Sequence, residues 1–399
     1  MTESAELVIV GCGPAGATAA RAAARSGIET VVLEKDAIVG AKRVCAAGLR
    51  PGFCAEFDLP RSIVHCDTPR LALFDAEDQE HELRFGPGHT STREELDGTM
   101  GRLAAEDGAD IRTQSLFRAV ERDGGRTIVE YADLREGVRK SISARNVFLA
   151  QGATAVLDAG SPFAFRDWRD GLMTTLQYRV YLDRPAVAIA YQTLEMHYYV
   201  GSDGRQVVAW MFPKKDHLAI GLGVLGKMEG SKLRHELDLF TERVRARLYP
   251  DANVKSVKVE GHLLYMGAPR PTVGAEAMML GGTAAGLVDA TNGEGIYEAA
   301  ISGRMAAESV MAHRNDPLRA ARYYGRTLQR RFARRLQHRL KLMNFLERRP
   351  SRFKMLFELL SSTPGLPWIL HSENSQRTLS QRWYLYTQLA RFALRAARG

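Results

Sequence analysis

LVIVGCGPAGATAARAAARSGIETVVLEKD, residues 7–36, decides the fold. Leu7 to Val10 is a short apolar run, the mark of a strand buried on both faces. Gly11 and Gly13 then allow a tight turn and a close backbone approach, Pro14 and Ala15 are candidate cofactor contacts, and Gly16 lets the following helix pack on the sheet. Ala17 to Ala24 reads as the helix, and TVVLEKD after Gly27 as a second strand. Glu34, followed by Lys35, ends that strand 18 residues beyond Gly16, where a carboxylate accepts from ribose hydroxyls and disfavours a 2'-phosphate. Strand, glycines, helix, strand and acid in this order predict a site for an ADP-containing cofactor.

A second glycine-rich segment, GGTAAGLVDATNGEGI (Gly281 to Ile296), lies far along the chain. Two such segments suggest one long cofactor gripped at both ends, which makes Gly282, Thr283, Gly286, Gly293, Gly295 and Ile296 candidate contacts. Ser141 to Ala150, followed by Gln151-Gly152, reads as a strand returning to the cofactor sheet. Val180–Ala190, Met196–Val200, Gln206–Phe212 and Leu218–Val224 read as strands of a separate antiparallel sheet roofing the cofactor, with turns at Ser202-Asp203-Gly204 and Lys214-Lys215-Asp216. Ser231 to Leu248 reads as an amphipathic helix and Asn253 to Gly261 as a strand leading back. The fold class is α/β with an α+β insert. A Rossmann-type domain is expected over 1–63, 92–155 and 265–317, an antiparallel-sheet domain over 64–91 and 156–264, and a helical region over 318–399.

At 399 residues, 45% hydrophobic and 25% charged, the chain has room for two domains. No stretch approaches the roughly 18 to 20 apolar residues that span a bilayer, and with a strand beginning almost at the initiator methionine no signal peptide is expected. Four cysteines (Cys12, Cys45, Cys54, Cys66) form no CxxC pair and have no histidine at zinc-like spacing. A reducing cytoplasmic setting and no metal site are expected.

The net charge of +9 is uneven: residues 318–399 hold 18 Lys/Arg against three acids, so the rest of the chain is acidic. Arg322, Arg326 and Arg330, then Arg331, Arg335 and Arg339, recur at helical spacing, while Phe332, Leu336, Leu340 and Met343 trace an apolar stripe. The final segment mixes Trp383, Tyr384, Tyr386, Leu389 and Phe392 with Arg391, Arg395 and Arg398, a composition suited to a membrane interface. Each basic residue near anionic lipid contributes on the order of 1 kcal/mol, so peripheral attachment to an inner or photosynthetic membrane surface is one expectation. The other is ordinary helices packed over the core with solvated outer faces. No nucleic-acid motif accompanies the charge, so no nucleic-acid partner is expected; the oligomeric state is not legible.

A resemblance now becomes specific. VVAWMFPKKDHLAIGLGV (Val207 to Val224) is similar to a family segment in which an aromatic strand ends in Trp-x-Phe-Pro and a second strand returns with alternating glycines. GTAAGLVDATNGEGIYEAAISGRMAAE (Gly282 to Glu308) is similar to the same family's flavin-binding segment. VCAAGLRPGFCAEFDLP (Val44 to Pro60) and STREELDGTMGRLAAEDGA (Ser91 to Ala109) resemble its cysteine-glycine segment and its Arg-containing helix start, which brings in Arg93. The family is the geranylgeranyl reductases, and the likeness runs toward the branch acting on the prenyl tail of chlorophyll or bacteriochlorophyll.

The resemblance implies a flavoprotein of the para-hydroxybenzoate hydroxylase type, binding FAD, whose reduced flavin delivers hydride to isolated prenyl double bonds. The electron donor would be NADPH or a reduced ferredoxin, and the partner a prenylated pigment, lipid or quinone. The helix starting near Gly295 would aim its N-terminus at the isoalloxazine. An isolated alkene has no carbonyl to polarise, so hydride addition needs a proton at the other carbon. Cys45, at the family's motif cysteine, is the candidate for that side of the chemistry, with Ala46 beside it. Tyr199, Trp210, Phe212 and Pro213 are expected to line an apolar slot, with ring faces able to stabilise positive charge. Glu294 reads as a solvated turn acid or cap, and His197 and His217 as surface or core histidines.

Three departures from the family stand near the cofactor. A Gly-Asp pair is Gly282-Thr283, a Gly-Ala-Asp-Gly is Leu149-Ala150-Gln151-Gly152, and the glycines after the motif cysteine are Ala46 and Ala47. Each lost acid removes charge-assisted bonds of roughly 1.5 to 3 kcal/mol. Two rival functions follow: a flavin-dependent monooxygenase of the same fold, and a non-catalytic assembly factor binding flavin or prenyl pigment at a membrane.

Overall fold

The computed structural model describes residues 3–41, 45–155, 157, 161–182, 193–250, 254–363, 365–372 and 377–398. The chain divides into two compact units, Met1–Ile63 with Ser91–Met173 and Leu263–Lys341, and Val64–Thr90 with Thr174–His262 and Leu342–Gly399.

A parallel sheet organises the first unit. Glu3–Val10 lies between Thr30–Leu33 and Val138–Leu149, with Val10 in register with Leu33 on one side and Leu149 on the other. The three strands therefore end at one edge, from which the Gly11–Gly16 turn departs. Asp110–Arg112 continues the sheet beyond Thr30–Leu33, and Met278–Leu280 beyond Val138–Leu149. Leu7, Val8 and Ile9 are fully buried, as an apolar run covered on both faces requires. Helix Pro14–Arg25 packs through its alanines, and helix Ile296–Ala312 meets it so closely that a Cβ on Gly303 would stand 2.0 Å from the Ala15 carbonyl oxygen. This contact joins the two glycine segments, distant in sequence, within one unit.

The second unit is a sheet in the order Val254–Tyr265, Leu172–Leu182, His217–Leu225, Gln206–Pro213, Thr193–Val200, Cys66–Phe74, Glu80–Thr90. Strand alternation sends Tyr178, Val180, Ala209, Met211, Ile220 and Leu222 to one face, where helix Gly230–Leu248 covers them with Leu233, Leu237, Phe240 and Val244. Of the strand expected over 180–190, residues 183–190 lie outside the described residues, as do Asn253 and Val44.

Two expected boundaries differ. Residues 161–173 belong to the first unit, where Trp168 stacks on Tyr265 with ring centroids 3.7 Å apart. The basic tail is shared, 318–341 going with the first unit and 342–399 with the second. The reason is its apolar stripe, since Phe332 and Leu336 are fully buried and Phe353 and Phe357 pack on Tyr198. Among the described residues no helix is long and apolar enough to cross a membrane.

Candidate active site

The opening turn is built for an anion. Gly11 takes φ +94°, and a Cβ there would stand 2.6 Å from the Ala150 carbonyl oxygen; one on Gly16 would stand 1.8 Å from that of Gly11. Helix Pro14–Arg25 starts at Gly13 with no side-chain cap and no acid in its first turn, so its first N–H groups, at Ala15 and Gly16, face an outside acceptor. The second strand stops at Leu33, short of the expected TVVLEKD, and Glu34 follows it directly, with Oε2 accepting from Cys12 N at 2.8 Å and Oε1 from Asp36 N at 3.0 Å. A carboxylate offers about four lone-pair sites, so acceptor capacity remains for ribose hydroxyls. Lys35 points its ammonium to Asp36 at 3.0 Å and is mostly exposed. Beside the turn, Gln151 Oε1 is buried with no hydrogen-bond partner among the described residues, and Gly152 has open space where a Cβ would stand. A dry acceptor, a clear space and an uncapped helix start together fit the diphosphate and ribose of FAD.

Arg93 opens helix Arg93–Glu106, whose cap Thr92 accepts from Glu95 N at 3.3 Å. Asp97, one turn on, clamps the buried guanidinium at two points, Nε to Oδ1 at 2.9 Å and Nη2 to Oδ2 at 2.5 Å. Burial opposes its charge, but Asp97 and then Cys45 keep it firmly protonated. Its Nη2 lies 3.5 Å from where a Gly13 Cβ would be. The structure thus brings Cys45, Arg93 and the phosphate turn together. Cys45 is half-buried, with Sγ accepting from Ala47 N at 3.3 Å. Ala46 is also half-buried, and Ala47 takes φ +46°, the left-handed conformation that a glycine would hold without strain.

At the late segment, Gly282 and Thr283 open a short 3-10 turn, Gly282–Ala285, that closes on Gly286, and Gly282 N donates to Ser302 Oγ at 3.0 Å. Gly293 precedes Gly295, which caps helix Ile296–Ala312 without a side-chain bond. Here sequence reasoning missed a charge cluster. Glu298, fully buried in the first turn, accepts through Oε1 from Arg50 at 2.6 Å and from Arg335 at 2.5 Å. Arg50 also pairs with Glu294 and lies 4.4 Å over the Tyr297 ring. Arg339 reaches Asp289 at 3.3 Å. Burial drives the Glu298 carboxyl upward against the pull of Arg50; burial alone would lower Arg50, yet Glu294 and Glu298 hold it charged. Glu294 is therefore an ion-pair partner rather than a solvated turn acid. The legible signal was three acids, Asp289, Glu294 and Glu298, inside an otherwise apolar segment, which demand cations from elsewhere.

In the second unit, Trp210 Nε1 donates to Gln177 Oε1 at 3.0 Å, and the indole lies over Gly221, where a Cβ would meet the ring at 2.4 Å. Phe212 shares this face, and Lys214, fully buried, ends it with Nζ 5.9 Å from the Phe212 ring centroid. Tyr199 does not share it. It stands in register with Val207 and packs under helix Gly230–Leu248 against Phe240, on the opposite face of the sheet. A strand period of two separates position 199 and its partner 207 from position 210, so the expected common slot of Tyr199 and Trp210 is corrected. Pro213 likewise alternates away from Phe212, and its carbonyl accepts from Thr90 Oγ1 at 2.7 Å. His217 is a core histidine, with Nδ1 2.7 Å from Asp216 and its ring pushed down to about 4 by burial. No group of three or more metal-ligating side chains occurs among the described residues.

Comparisons with known proteins bear on the fold and the family likeness. A family profile described as FAD dependent oxidoreductase matches residues 6–182. The chloroplastic geranylgeranyl diphosphate reductase of Oryza sativa subsp. japonica is 27% identical over 77% of this chain, the match spanning 66% of that protein, just under two thirds. The digeranylgeranylglycerophospholipid reductase of Thermoplasma acidophilum is 27% identical over 77% of this chain and 78% of its own length. Among solved structures, a geranylgeranyl bacteriochlorophyll reductase-like protein from Thermoplasma acidophilum superposes with TM-score 0.80 at 21% identity, covering 100% of this chain and 98% of the other. The p-nitrophenol 4-monooxygenase PnpA from Pseudomonas putida superposes with TM-score 0.68 at 14% identity, covering 91% and 94%. This chain is thus similar to geranylgeranyl reductases over 77% of its length and has the fold of FAD-dependent oxidoreductases of the para-hydroxybenzoate hydroxylase type.

Proposed function

We propose that this protein is an FAD-dependent reductase that saturates double bonds of a geranylgeranyl chain carried on a pigment, lipid or diphosphate. The observation that carries the reading is the pairing, on one sheet, of two uncapped helix starts at Gly13 and Gly295, joined where Gly303 meets Ala15. That spacing suits a cofactor with a diphosphate at one end and a redox ring at the other.

When bound, FAD supplies hydride. The residues of this chain supply the rest. The N–H groups of the first helix turn, with Arg93 beside them, take the diphosphate, and Glu34 takes the ribose. Gly282, Thr283, Gly286, Gly293, Gly295 and Ile296 form the second grip. Cys45 holds the proton destined for the second alkene carbon, with the buried Arg93 guanidinium beside it. The Trp210 and Phe212 face, floored by Gly221, suits an isoprenoid tail. NADPH or a reduced ferredoxin would reload the cofactor, and the basic C-terminal helices would attach the protein to a membrane surface. A second reading, a flavin- or pigment-binding assembly factor, draws on Thr283 and Gln151, where the family's acids are absent.

Purified protein separates the two. A yellow, tightly held FAD spectrum, bleached by reductant and restored by a geranylgeranyl substrate without oxygen, is the expected result. Colourless protein that retains a prenylated pigment would support the assembly factor instead.

A further inference from the structure

A cavity of about 320 Å³ opens on the second unit, lined by Asp78, His197, Phe240, Arg243, Val244 and Arg247 among others. It lies on the helix-covered side of the sheet, the side opposite Trp210. Its floor is the His197 imidazole, stacked on Phe74 with centroids 4.1 Å apart and planes 6° apart, and set edge-on to Phe240. Nε2 lies 3.1 Å from Glu195 Oε2, whose carboxylate is completely buried and also receives Arg247 at 2.5 Å. Nδ1 faces the exposed Asp78 at 3.9 Å. Arg243 and Arg247 stand one helical turn apart, each guanidinium laid over a ring: Arg243 over Tyr199 at 4.4 Å and Arg247 over Phe74 at 4.8 Å.

A buried carboxylate and a buried histidine, paired with a partly exposed arginine, are a costly way to join this helix to this sheet. Apolar residues of similar size would stabilise the contact as well or better. Elsewhere the same interface is mostly apolar, with polar contacts from Tyr178 to Asp238 and from Ser202 to Glu236. The ring backing holds both guanidinium groups at the cavity, where the buried Glu195 pairs with Arg247 and Asp78 sits at the solvent rim.

We infer that this cavity binds a small oxyanion, a phosphate or carboxylate group seated between Arg243 and Arg247 above His197. It is a second ligand site, separated by the thickness of the sheet from the Trp210 face. An ionised Glu195 accepts a hydrogen bond from Nε2–H of the neutral ring, so an arriving anion meets the Nδ1 lone pair and favours proton uptake there, in the presence of Asp78, Arg243 and Arg247.

The test is titration of the full-length protein with inorganic phosphate and, separately, with benzoate at constant ionic strength, followed by calorimetry and by the His197 imidazole NMR signals. Saturable binding that shifts those signals, weakened at least tenfold in Arg243→Met and tightened in Asp78→Asn, is expected. The stronger of the two probes identifies the source chemistry. Arg243→Met tests the site without leaving Glu195 unpaired, and its far-ultraviolet spectrum and melting temperature check folding. Absence of saturable binding by either probe, or binding unchanged in folded Arg243→Met, would overturn the inference.

Discussion

At the scale of single residues, the cysteine segment carries a cost that its sequence exposes. Ala47 is held at φ +46°, and the left-handed conformation costs an alanine roughly 1 to 2 kcal/mol, part of which glycine returns as greater freedom in the unfolded chain. Ala47→Gly is therefore expected to raise the unfolding free energy by up to about 1 kcal/mol in chemical denaturation; a loss of stability would show that the conformation is relieved elsewhere. His217 gives a pH signature. Burial lowers its ring to about 4 from an ordinary 6.5, so between those values the unfolded chain binds a proton that the folded one refuses. Stability should fall as pH drops from 6.5 toward 4, by up to about 3 kcal/mol for this group. His217→Gln should flatten that slope in urea titrations at several pH values. For chemistry, Cys45→Ala should leave FAD bound and reducible yet slow prenyl turnover by about 10²-fold or more, the usual share of a positioned proton donor. Undiminished turnover would remove Cys45 from the proton path.

At the scale of elements, the arginine-rich helix Arg334–Glu347 is the largest revision. Its spacing reads as a solvated or lipid-facing stripe, but Arg335 and Arg339 turn inward to Glu298 and Asp289. A periodic pattern tells which side chains share a helix face and not what lies opposite that face. Removing one partner of a buried pair costs about 3 to 5 kcal/mol because the other charge is stranded. Arg335→Met should approach that loss in denaturant unfolding, Arg335→Lys should recover part of it, and the double variant with Glu298→Gln should be milder than Arg335→Met alone. Additive effects would mean that the two residues do not act as a pair. The final helix, Leu379–Arg398, exposes Trp383 and Tyr386 along with Arg391 and Arg395. Co-sedimentation with vesicles containing anionic lipid, abolished by salt and by Trp383→Ala with Tyr386→Ala, is the expected behaviour; sedimentation independent of those residues would place any membrane contact elsewhere.

At the scale of the whole molecule, what was legible follows from locality. The strand, glycine turn, helix and terminal Glu34 lie within thirty residues and obey local rules, so their sequence reading carries over to the structure directly. The aromatic strand could be recognised, but sorting Tyr199 from Trp210 required the register with Val207, a tertiary fact. The Arg50–Glu294–Glu298–Arg335 cluster spans most of the chain length, and no local pattern announces which arginine meets which acid. The cavity above His197 was hidden for the same reason, since its floor and walls come from separate stretches of the chain.

The most direct measurement is an anaerobic single turnover. The FAD-loaded protein is reduced to completion, mixed with a geranylgeranyl-bearing substrate, and followed by absorbance and by mass spectrometry of the product. Return of the oxidised flavin spectrum in step with the gain of two hydrogens per flavin on the prenyl chain is predicted. A flavin that stays reduced beside unchanged substrate, or a protein that takes up no flavin, would contradict the account.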